Sequence, residues 1–436
     1  EQQVILTTAV DIIKLPYDSN EYTTLTGNGS MPYQIVVSQD GKVYIALDYL
    51  AQYTALQYSV EQEPLHIIIN NQWGTKTFSD VIKEESVRLD ADIKSPILKK
   101  EATGDKVTVL EQEEEWTKVL TADGYIGYMK SKKLSDSYEE QVTSDFRAAE
   151  YTSIHKDYDM NLLWHQVTSQ DSNDALAADI QDVKGVNVIS PTWFSISSND
   201  GDISSLASSD YVDTAHQNDM EVWGLMDNFS TDIDTDTVLG TTTSRENLEG
   251  QLITEALNYQ LDGINIDIES LPEETSESYV QFMRELSVKC RNNNLVLSVD
   301  VPSPYSFNEH YSQKELGEVV DYVIIMGYDE HYVGSDAGSV ASLSYERDGI
   351  TGTLENVPKE KIISGIPFYT RLWKTNASGE VSSEAIGMDK ADQILSDYKV
   401  TAGWSSETSQ DYAEFTDEDG NFCQICWKTK HRSKRR

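Results

Sequence analysis

The sequence predicts a multidomain α/β protein in which a parallel (β/α)8 barrel, or TIM barrel, follows two small accessory domains. After residue 148, seven apolar strand-like runs, from NLLWHQV to IISGIPF, alternate with helix-like spans, which is typical of a parallel barrel. Before residue 137, short strand-like runs are separated by turn residues. A length of 436 residues also suits two to four domains at about 150 residues each.

Residues 1–78 are predicted to form a small α+β accessory domain. The strand-like runs YQIVVS, KVYIAL and LHIIIN accompany one helix-like span, LDYLAQYTAL. The run VYIALDYLAQYTALQY resembles the amino-terminal stalk-type domain of copper amine oxidases. No histidine cluster accompanies it, so the resemblance implies no copper.

Residues 82–137 are predicted to form an all-β domain, because short β runs are joined by turns at 103–105 and 122–124. This segment resembles a bacterial Src-homology-3-type domain, a small β-barrel. The matching residues are Val87, Arg88, Trp116, the run DGYIGY at 123–128, and Leu134. Such modules more often bind cell wall or act as spacers than catalyse reactions, so the cell wall is their expected partner.

Charge and composition exclude several classes of partner. The chain has 34 basic and 74 acidic residues, a net charge of −40, which would repel nucleic acid and anionic membranes. No run approaches 18 apolar residues, so no membrane-spanning segment is predicted. The start, EQQVILTTAV, has neither a basic leader nor a long apolar core, and we expect a removed export signal or anchor and an extracellular or cell-wall location.

The cysteines indicate neither a disulfide scaffold nor a metal centre. Only three are present, and Cys423 and Cys426 form a CxxC pair without a second pair of ligands. We therefore predict no metal and no cofactor. We also expect the protein to be a monomer.

The stretch LDGINIDIES carries the strongest signal for chemistry. Its alternation places Asn265, Asp267 and Glu269 on one face of a strand and three isoleucines on the other. Two carboxylates about 6–7 Å apart repel each other, so one of them should hold a proton near neutral pH, as a general acid requires. Glu269 also ends the fourth run, and barrels catalyse at the carboxyl ends of their strands. A solvated acidic edge is the alternative.

DGINIDIE resembles the signature Asp-Gly-x-Asp-x-Asp-x-Glu of glycoside hydrolase family 18, the chitinase and endo-N-acetylglucosaminidase family. MGYDEH at 326–331 and GIPFYTRLW at 365–373 are similar to its sixth and seventh strands. WHQVTS, ISPTWFS and WGLMDNFS resemble the first three strands of the branch that degrades bacterial peptidoglycan, including spore-cortex fragment lytic enzymes. The likeness covers residues 148–427, and we place the barrel domain at 148–436.

The resemblance implies three catalytic residues and a retaining mechanism in which the substrate's own 2-acetamido oxygen is the nucleophile. Glu269 would protonate the glycosidic oxygen and later activate water. Asp267 would hold the acetamido N–H and stabilise the oxazolinium ion. Tyr328 would donate its hydroxyl to the acetamido carbonyl.

Five further residues are implied in substrate binding. They are Asn265, Met326, Asp329, Tyr369 and Trp373. Chitinases usually have Asp where this chain has Asn265; the amide can bond Asp267 but cannot share a proton with it, so Asp267 should stay ionised more of the time. Met326 lies on the same strand face as Tyr328, and Asp329 would help to position the acetamido group. Tyr369 and Trp373 offer flat surfaces to pyranose rings, with core packing as the alternative for each.

The predicted function is that of a secreted glycosidase that cleaves β-1,4 bonds next to N-acetylglucosamine, with peptidoglycan or spore cortex as its substrate. Chitin and N-glycans carry the same 2-acetamido group and remain alternatives. A non-catalytic, lectin-like member of the same fold is a further alternative, although the acid Glu269 is present. A surface adhesin is another, against which the Asp-x-Glu pair argues.

The ending CQICWKTKHRSKRR is out of character with the acidic chain, because residues 428–436 hold six of its 34 Lys and Arg. The family's eighth strand usually runs Gln-Ile or Gln-Val and then Trp, whereas Cys426 here separates Ile425 from Trp427. A one-residue shift turns a side chain to the other face, so Trp427 is a doubtful sugar-site Trp. We expect a frame shift near codon 426, a barrel incomplete at its C-terminal end, and poor order after residue 427. A basic tail that binds the anionic wall is the alternative.

Overall fold

The computed structural model describes residues 2–428, which divide into two compact units, one of residues 2–150 and one from residue 151 onward. Each unit is described by itself. Residues 429–436 lie outside the described residues. The prediction of a poorly ordered, frame-shifted tail falls on them.

The first unit begins with short antiparallel strands. They are β1 (Gln3–Thr7), β2 (Ile12–Pro16), β3 (Glu21–Thr23), β4 (Asn28–Ser30), β5 (Val36–Gln39), β6 (Lys42–Ile45), β7 (Gln57–Gln62) and β8 (Leu65–Asn70). The first four form one sheet, and β5–β6 and β7–β8 form two hairpins. Within the predicted helix LDYLAQYTAL only α1 (Leu47–Leu50) forms, and it buries Tyr49 against Leu15 and Ile35.

A seven-stranded antiparallel sheet completes the first unit. Its strands are β9 (Gly74–Asp80), β10 (Glu85–Arg88), β11 (Ile97–Glu101), β12 (Lys106–Gln112), β13 (Trp116–Leu120), β14 (Ile126–Lys130) and β15 (Tyr138–Val142). Their order is β11-β10-β14-β13-β12-β9-β15. β9 and β15 pair along five residues, so the sheet extends beyond the predicted range 82–137 at both ends.

The second unit is built on parallel strands. They are β16 (Leu162–His165), β17 (Val188–Ile196), β19 (Glu221–Asp227), β20 (Gly263–Asp267), β21 (Val296–Pro302), β22 (Tyr322–Met326) and β23 (Ile362–Gly365), with β18 (Ile203–Ser205) antiparallel to β17. They lie side by side in chain order, as in a (β/α)8 barrel. Seven parallel strands are present in residues 2–428, and their carboxyl ends lie at one edge.

Helices connect these strands. They are α2 (Leu176–Asp179), α3 (Ser209–Gln217), α4 (Thr235–Gly240), α5 (Thr242–Asn258), α6 (Ser276–Asn292), α7 (Gln313–Val319), α8 (Leu343–Leu354) and α9 (Met388–Asp397). Short 3-10 turns lie at Ser131–Lys133, Gln170–Ala175, Glu273–Thr275, Ser306–Tyr311 and Lys359–Lys361. α6 shows why they pack: Tyr279, Phe282, Met283 and Leu286 recur at helical spacing and are fully buried in the core beneath the sheet.

The run FCQICW is not the eighth barrel strand, and that prediction is wrong. It forms β28 (Phe422–Trp427), which pairs antiparallel with two neighbours in a separate five-stranded sheet. The other strands are β24 (Tyr369–Thr375), β25 (Val381–Gly387), β26 (Gly403–Ser405) and β27 (Gln410–Thr416), in the order β25-β24-β28-β27-β26. An apolar run predicts a strand but not the direction of its partners.

In the described chain β16 and β23 are therefore the two edges of the parallel sheet. Trp164 of β16 reaches Gly365 of β23: a Cβ built on Gly365 would lie 2.6 Å from Cη2 of the indole ring. Only glycine leaves room for this contact, which brings the two edge strands together through one side chain.

Candidate active site

Asn265 joins four strands at the centre of the parallel sheet. Its Oδ1 accepts hydrogen bonds from Trp164 Nε1 on β16 and Ser190 Oγ on β17, each at 3.1 Å. Its Nδ2 donates to Asp300 Oδ1 on β21 at 2.9 Å. The side chain is fully buried, and these bonds are to Trp164, Ser190 and Asp300 rather than to Asp267, which the sequence allowed as a partner. Asn265 therefore acts first as a structural link beneath the site.

Asp267 ends β20 and is only 8% exposed. Burial, the Glu269 carboxylate and then the Asp227 carboxylate raise its pKa to about 7. Its Oδ1 has no hydrogen-bond partner among the described residues. A buried, unpartnered carboxylate oxygen is costly unless a ligand supplies a donor, so this atom suits an N–H group of a bound molecule.

Glu269 lies two residues beyond β20 and is exposed at the carboxyl edge of the sheet. Partial burial of its carboxyl group, followed by the Asp329 and Asp227 carboxylates, raises its pKa. A raised pKa favours the protonated form, which a general acid needs.

The backbone of Glu269 is held by a side chain that the sequence did not single out. Asn228, just after β19, accepts from Glu269 N and donates to Glu269 O, both at 3.0 Å. It also donates to Thr235 Oγ1 at the start of α4. This pair of bonds fixes the short segment that follows β20 and with it the start of the Glu269 side chain.

Two buried carboxyl groups beside the predicted pair were also missed. Asp227 ends β19 directly opposite Asp267 in the parallel register, and Asp300 lies in the middle of β21. Burial and then Asp267 raise the pKa of Asp300 well above its usual range. Each is a single acid within an apolar run. The available signal was strand alternation, which turns Asp300 to the face opposite its neighbours Val299 and Val301.

Tyr328 and Asp329, which follow β22, lie beside Tyr369, the first residue of β24. The Tyr328 ring packs edge-on against Trp164 on one side and against Tyr369 on the other. Tyr369 Oη donates to Asp329 Oδ1 at 2.6 Å. Burial and then the Asp300 and Asp267 carboxylates raise the pKa of Tyr328, so its phenol stays a donor at physiological pH. Tyr328, Asp329 and Tyr369 thus form one polar aromatic cluster.

Met326 and Trp373 differ in how far their side chains are buried. Met326 ends β22 half-buried, paired with Pro302 and Gly365 of the adjacent strands. Trp373 is 1% exposed, and its indole N–H donates to Gly338 O at 2.8 Å. Trp373 belongs to the layer of strands β24–β28 and lines a cavity together with Tyr412 and Gln424, so its role as a stacking surface stays a prediction. Trp427 is likewise buried in that layer.

The CxxC pair and the helices bear on metal and membrane chemistry. Cys423 and Cys426 are buried free thiols on β28, and no group of three or more His, Cys, Asp or Glu residues in positions 2–428 could hold a metal ion. No helix in this range is both long and apolar enough to cross a membrane.

Comparisons with known proteins agree with this arrangement. Residues 222–431 match the model of glycosyl hydrolases family 18, and residues 86–135 match that of the bacterial SH3 domain. The stalk-type domain predicted for residues 1–78 is not matched by these models and stays a prediction.

Two curated bacterial proteins are similar in sequence. "Putative sporulation-specific glycosylase YdhD" of Bacillus subtilis (strain 168) is 29% identical over 201 residues, which cover 45% of this chain and 48% of YdhD. The cortical fragment-lytic enzyme of Bacillus anthracis is 25% identical over 199 residues, or 44% of this chain and 46% of that enzyme. The chain thus spans about half the length of these curated relatives.

The fold is also that of a solved structure, the spore cortex-lytic enzyme SleL of Bacillus megaterium QM B1551. The TM-score is 0.55 at 20% identity, covering 66% of this chain and 69% of that one. Residues 222–431 thus match glycosyl hydrolases family 18, and they follow a segment that matches the bacterial SH3 domain.

Proposed function

We propose that this chain hydrolyses β-1,4 glycosidic bonds next to N-acetylglucosamine, with retention of configuration, and that its substrate is bacterial peptidoglycan of the spore-cortex type. One observation carries the proposal: the strand end that bears Asp267 and Glu269 offers a buried, unpartnered carboxylate oxygen beside an exposed carboxyl group with a raised pKa. The first suits an acetamido N–H, and the second suits proton transfer.

In the proposed mechanism Glu269 donates its proton to the glycosidic oxygen as the bond to C1 breaks. The 2-acetamido oxygen of the same sugar forms a bond to C1 and gives an oxazolinium ion. Asp267, ionised, accepts the acetamido N–H and balances the positive charge, while Tyr328 donates to the acetamido oxygen. Glu269 then removes a proton from water, which attacks C1 and restores the acetamido group, so the configuration is retained.

Peptidoglycan is favoured as the substrate by the relatives and by the preceding domain. YdhD and the cortical fragment-lytic enzyme carry names from sporulation and cortex lysis, and the SH3 domain is of a type that binds cell walls. We therefore propose action outside the cell or within its wall. The acetamido chemistry would serve chitin and N-glycans equally, so the test must include them.

Digests of purified muropeptides, chitin oligomers and a glycoprotein, read by mass spectrometry, test this proposal. We expect new ends at N-acetylglucosamine in the muropeptides, and no cleavage after de-N-acetylation, because the nucleophile is then missing. Glu269→Gln is the matched control. Equal cleavage of de-N-acetylated glycan would contradict the mechanism, and cleavage of chitin alone would contradict the substrate.

A further inference from the structure

A third carboxylate, that of Asp227, lies beside the two proposed catalytic groups. Asp227 and Asp267 are directly opposite each other in the parallel pairing of β19 and β20, and neighbouring strands are about 4.8 Å apart. Residues opposite each other in a sheet point to the same face, so both carboxyl groups leave the same side of the barrel wall. Asp227 is 7% exposed, about as buried as Asp267.

The surroundings of Asp227 fix it in place. Burial raises its pKa, and two hydrogen bonds from Phe229 and Ser195 oppose that shift. Its Oδ2 accepts from Ser195 Oγ on β17, and its Oδ1 accepts from Phe229 N, each at 3.1 Å. Both bonds come from donors that stabilise a carboxylate. None of the ion pairs found in residues 2–428 includes Asp227, Asp267 or Glu269, so no cation offsets the charge.

We infer that Asp227 is a positioning residue: its fixed negative charge keeps the catalytic proton on Glu269 and thereby sets the upper pH limit of hydrolysis. The inference rests on the proposed function. Asn265, the other polar neighbour on β20, is neutral, and its amide is already bonded to Trp164, Ser190 and Asp300. Asp227, at the end of β19, lies opposite Asp267 on the adjacent strand and can carry a charge there.

Other titratable groups also face the pair. They are Asp300 on β21, Tyr311 before α7, Tyr328 and Asp329 after β22, and Tyr369 on β24. Burial raises the pKa of Asp300 well above its usual range, which favours its neutral form. The tyrosines stay neutral as well, because burial raises the pKa of each. Asp329 and then Asp227 raise the pKa of Glu269, and Asp267, whose own pKa is raised by the Glu269 carboxylate, titrates together with it.

The test is the pH profile of kcat/KM for Asp227→Asn on a soluble N-acetylglucosamine oligosaccharide. The amide keeps the size of the side chain and its acceptor for Phe229 N. Removing the charge lowers the pKa of Glu269, so the alkaline limb should move to lower pH by about 0.5–1.5 units, while the rate on the acidic side changes little. Asp227→Glu, which retains the charge, should leave the limb near its wild-type position.

Asp213→Asn is the matched control, because it removes the same charge from an exposed position on α3. It should leave the profile unmoved. A uniform loss of rate at every pH in Asp227→Asn, with an unmoved limb, would show a structural role only and overturn the inference.

A carboxyl 13C NMR titration of Glu269 separates this inference from the proposed function. The pKa of Glu269 should fall in Asp227→Asn whether or not a glycan is cleaved. A lowered pKa in a protein that cleaves no N-acetylglucosamine glycan would sink the proposed function and retain the charge effect. Hydrolysis with an unchanged Glu269 pKa would sink the inference alone.

Discussion

At the scale of single residues, the carboxyl groups of the site differ in their burial and in their hydrogen-bond partners. Asp267 is buried without a partner for Oδ1, Asp300 is buried and bonded to Asn265, and Glu269 reaches solvent. Crowded acids with unequal burial cannot all ionise together, so the protons come off the cluster in coupled steps. This is the physical basis on which one carboxyl group can be an acid while its neighbour is a charged acceptor.

Asp267→Asn should change how stability depends on pH. The pKa of Asp267 is about 7 in the folded protein, above the value of about 3.9 expected in the unfolded chain. The folded state therefore holds this proton more tightly, and the group's contribution to stability is lost as pH rises from about 4 to about 7. Relative to the variant, the wild-type free energy of unfolding should fall by about 2–4 kcal/mol over this range.

Chemical denaturation of both proteins across that range measures the difference. Parallel curves for the wild type and Asp267→Asn would show that the carboxyl group is not perturbed in the folded state.

Asn228→Ala should slow catalysis without much effect on substrate binding. The change removes both bonds to the Glu269 backbone, and small misplacements of a catalytic group are costly. We expect kcat to fall by about 10–100-fold with KM within about threefold. Asn218→Ala, at an exposed helix end, is the control. An increase in KM with an unchanged kcat would argue against a positioning role for Asn228.

At the scale of elements, β20 is stabilised by side-chain bonds that cross the sheet. Asn265 connects β20 to β16, β17 and β21, and three of its bonds are made in a fully buried site. The layer beneath the catalytic edge is thus a polar network inside an apolar core. Such networks are stable only when every member is satisfied.

Asn265→Leu should therefore destabilise the barrel domain. It removes both the acceptor for Trp164 and Ser190 and the donor to Asp300, and leaves buried polar atoms without partners. We expect a loss of about 2–5 kcal/mol, measured by urea denaturation. Asn293→Ala, exposed after α6, should change stability by less than about 0.5 kcal/mol. Equal stability of the two variants would mean that the network contributes little.

The sequence predicted β20 well because its alternation reports two unlike faces within one strand. It could not assign β28, since FCQICW is equally apolar whether its partners are parallel or antiparallel, and only the paired strands β24 and β27 settle that. Asp227 was missed for a related reason. Asp227 is placed beside Asp267 by the register between β19 and β20, and the sequence of one strand does not reveal that register.

At the scale of the whole molecule, the chain consists of two compact units, and the predicted site residues lie in the second. The first unit holds the SH3 domain and two β hairpins, and contributes none of the residues placed at the catalytic edge. The two proposed roles, wall attachment and bond cleavage, therefore fall to different parts of the chain.

Deletion of residues 2–150 should leave hydrolysis of soluble oligosaccharides within about threefold of the intact chain, because the proposed catalytic groups all remain. Hydrolysis of insoluble wall material should fall more, since attachment raises the local substrate concentration. Rates on both substrates are compared at equal enzyme concentration. An equal loss on soluble and insoluble substrates would show that the first unit shapes the active site.

The role of Glu269 as the proton donor is tested most directly by Glu269→Gln. The amide keeps the shape of the side chain but has no acidic proton, so we expect hydrolysis of an N-acetylated muropeptide to fall by more than about 100-fold. Binding of the same muropeptide, measured by calorimetry, should stay within about threefold of the wild type. Retention of more than about a hundredth of the wild-type rate, with binding unchanged, would contradict the assignment.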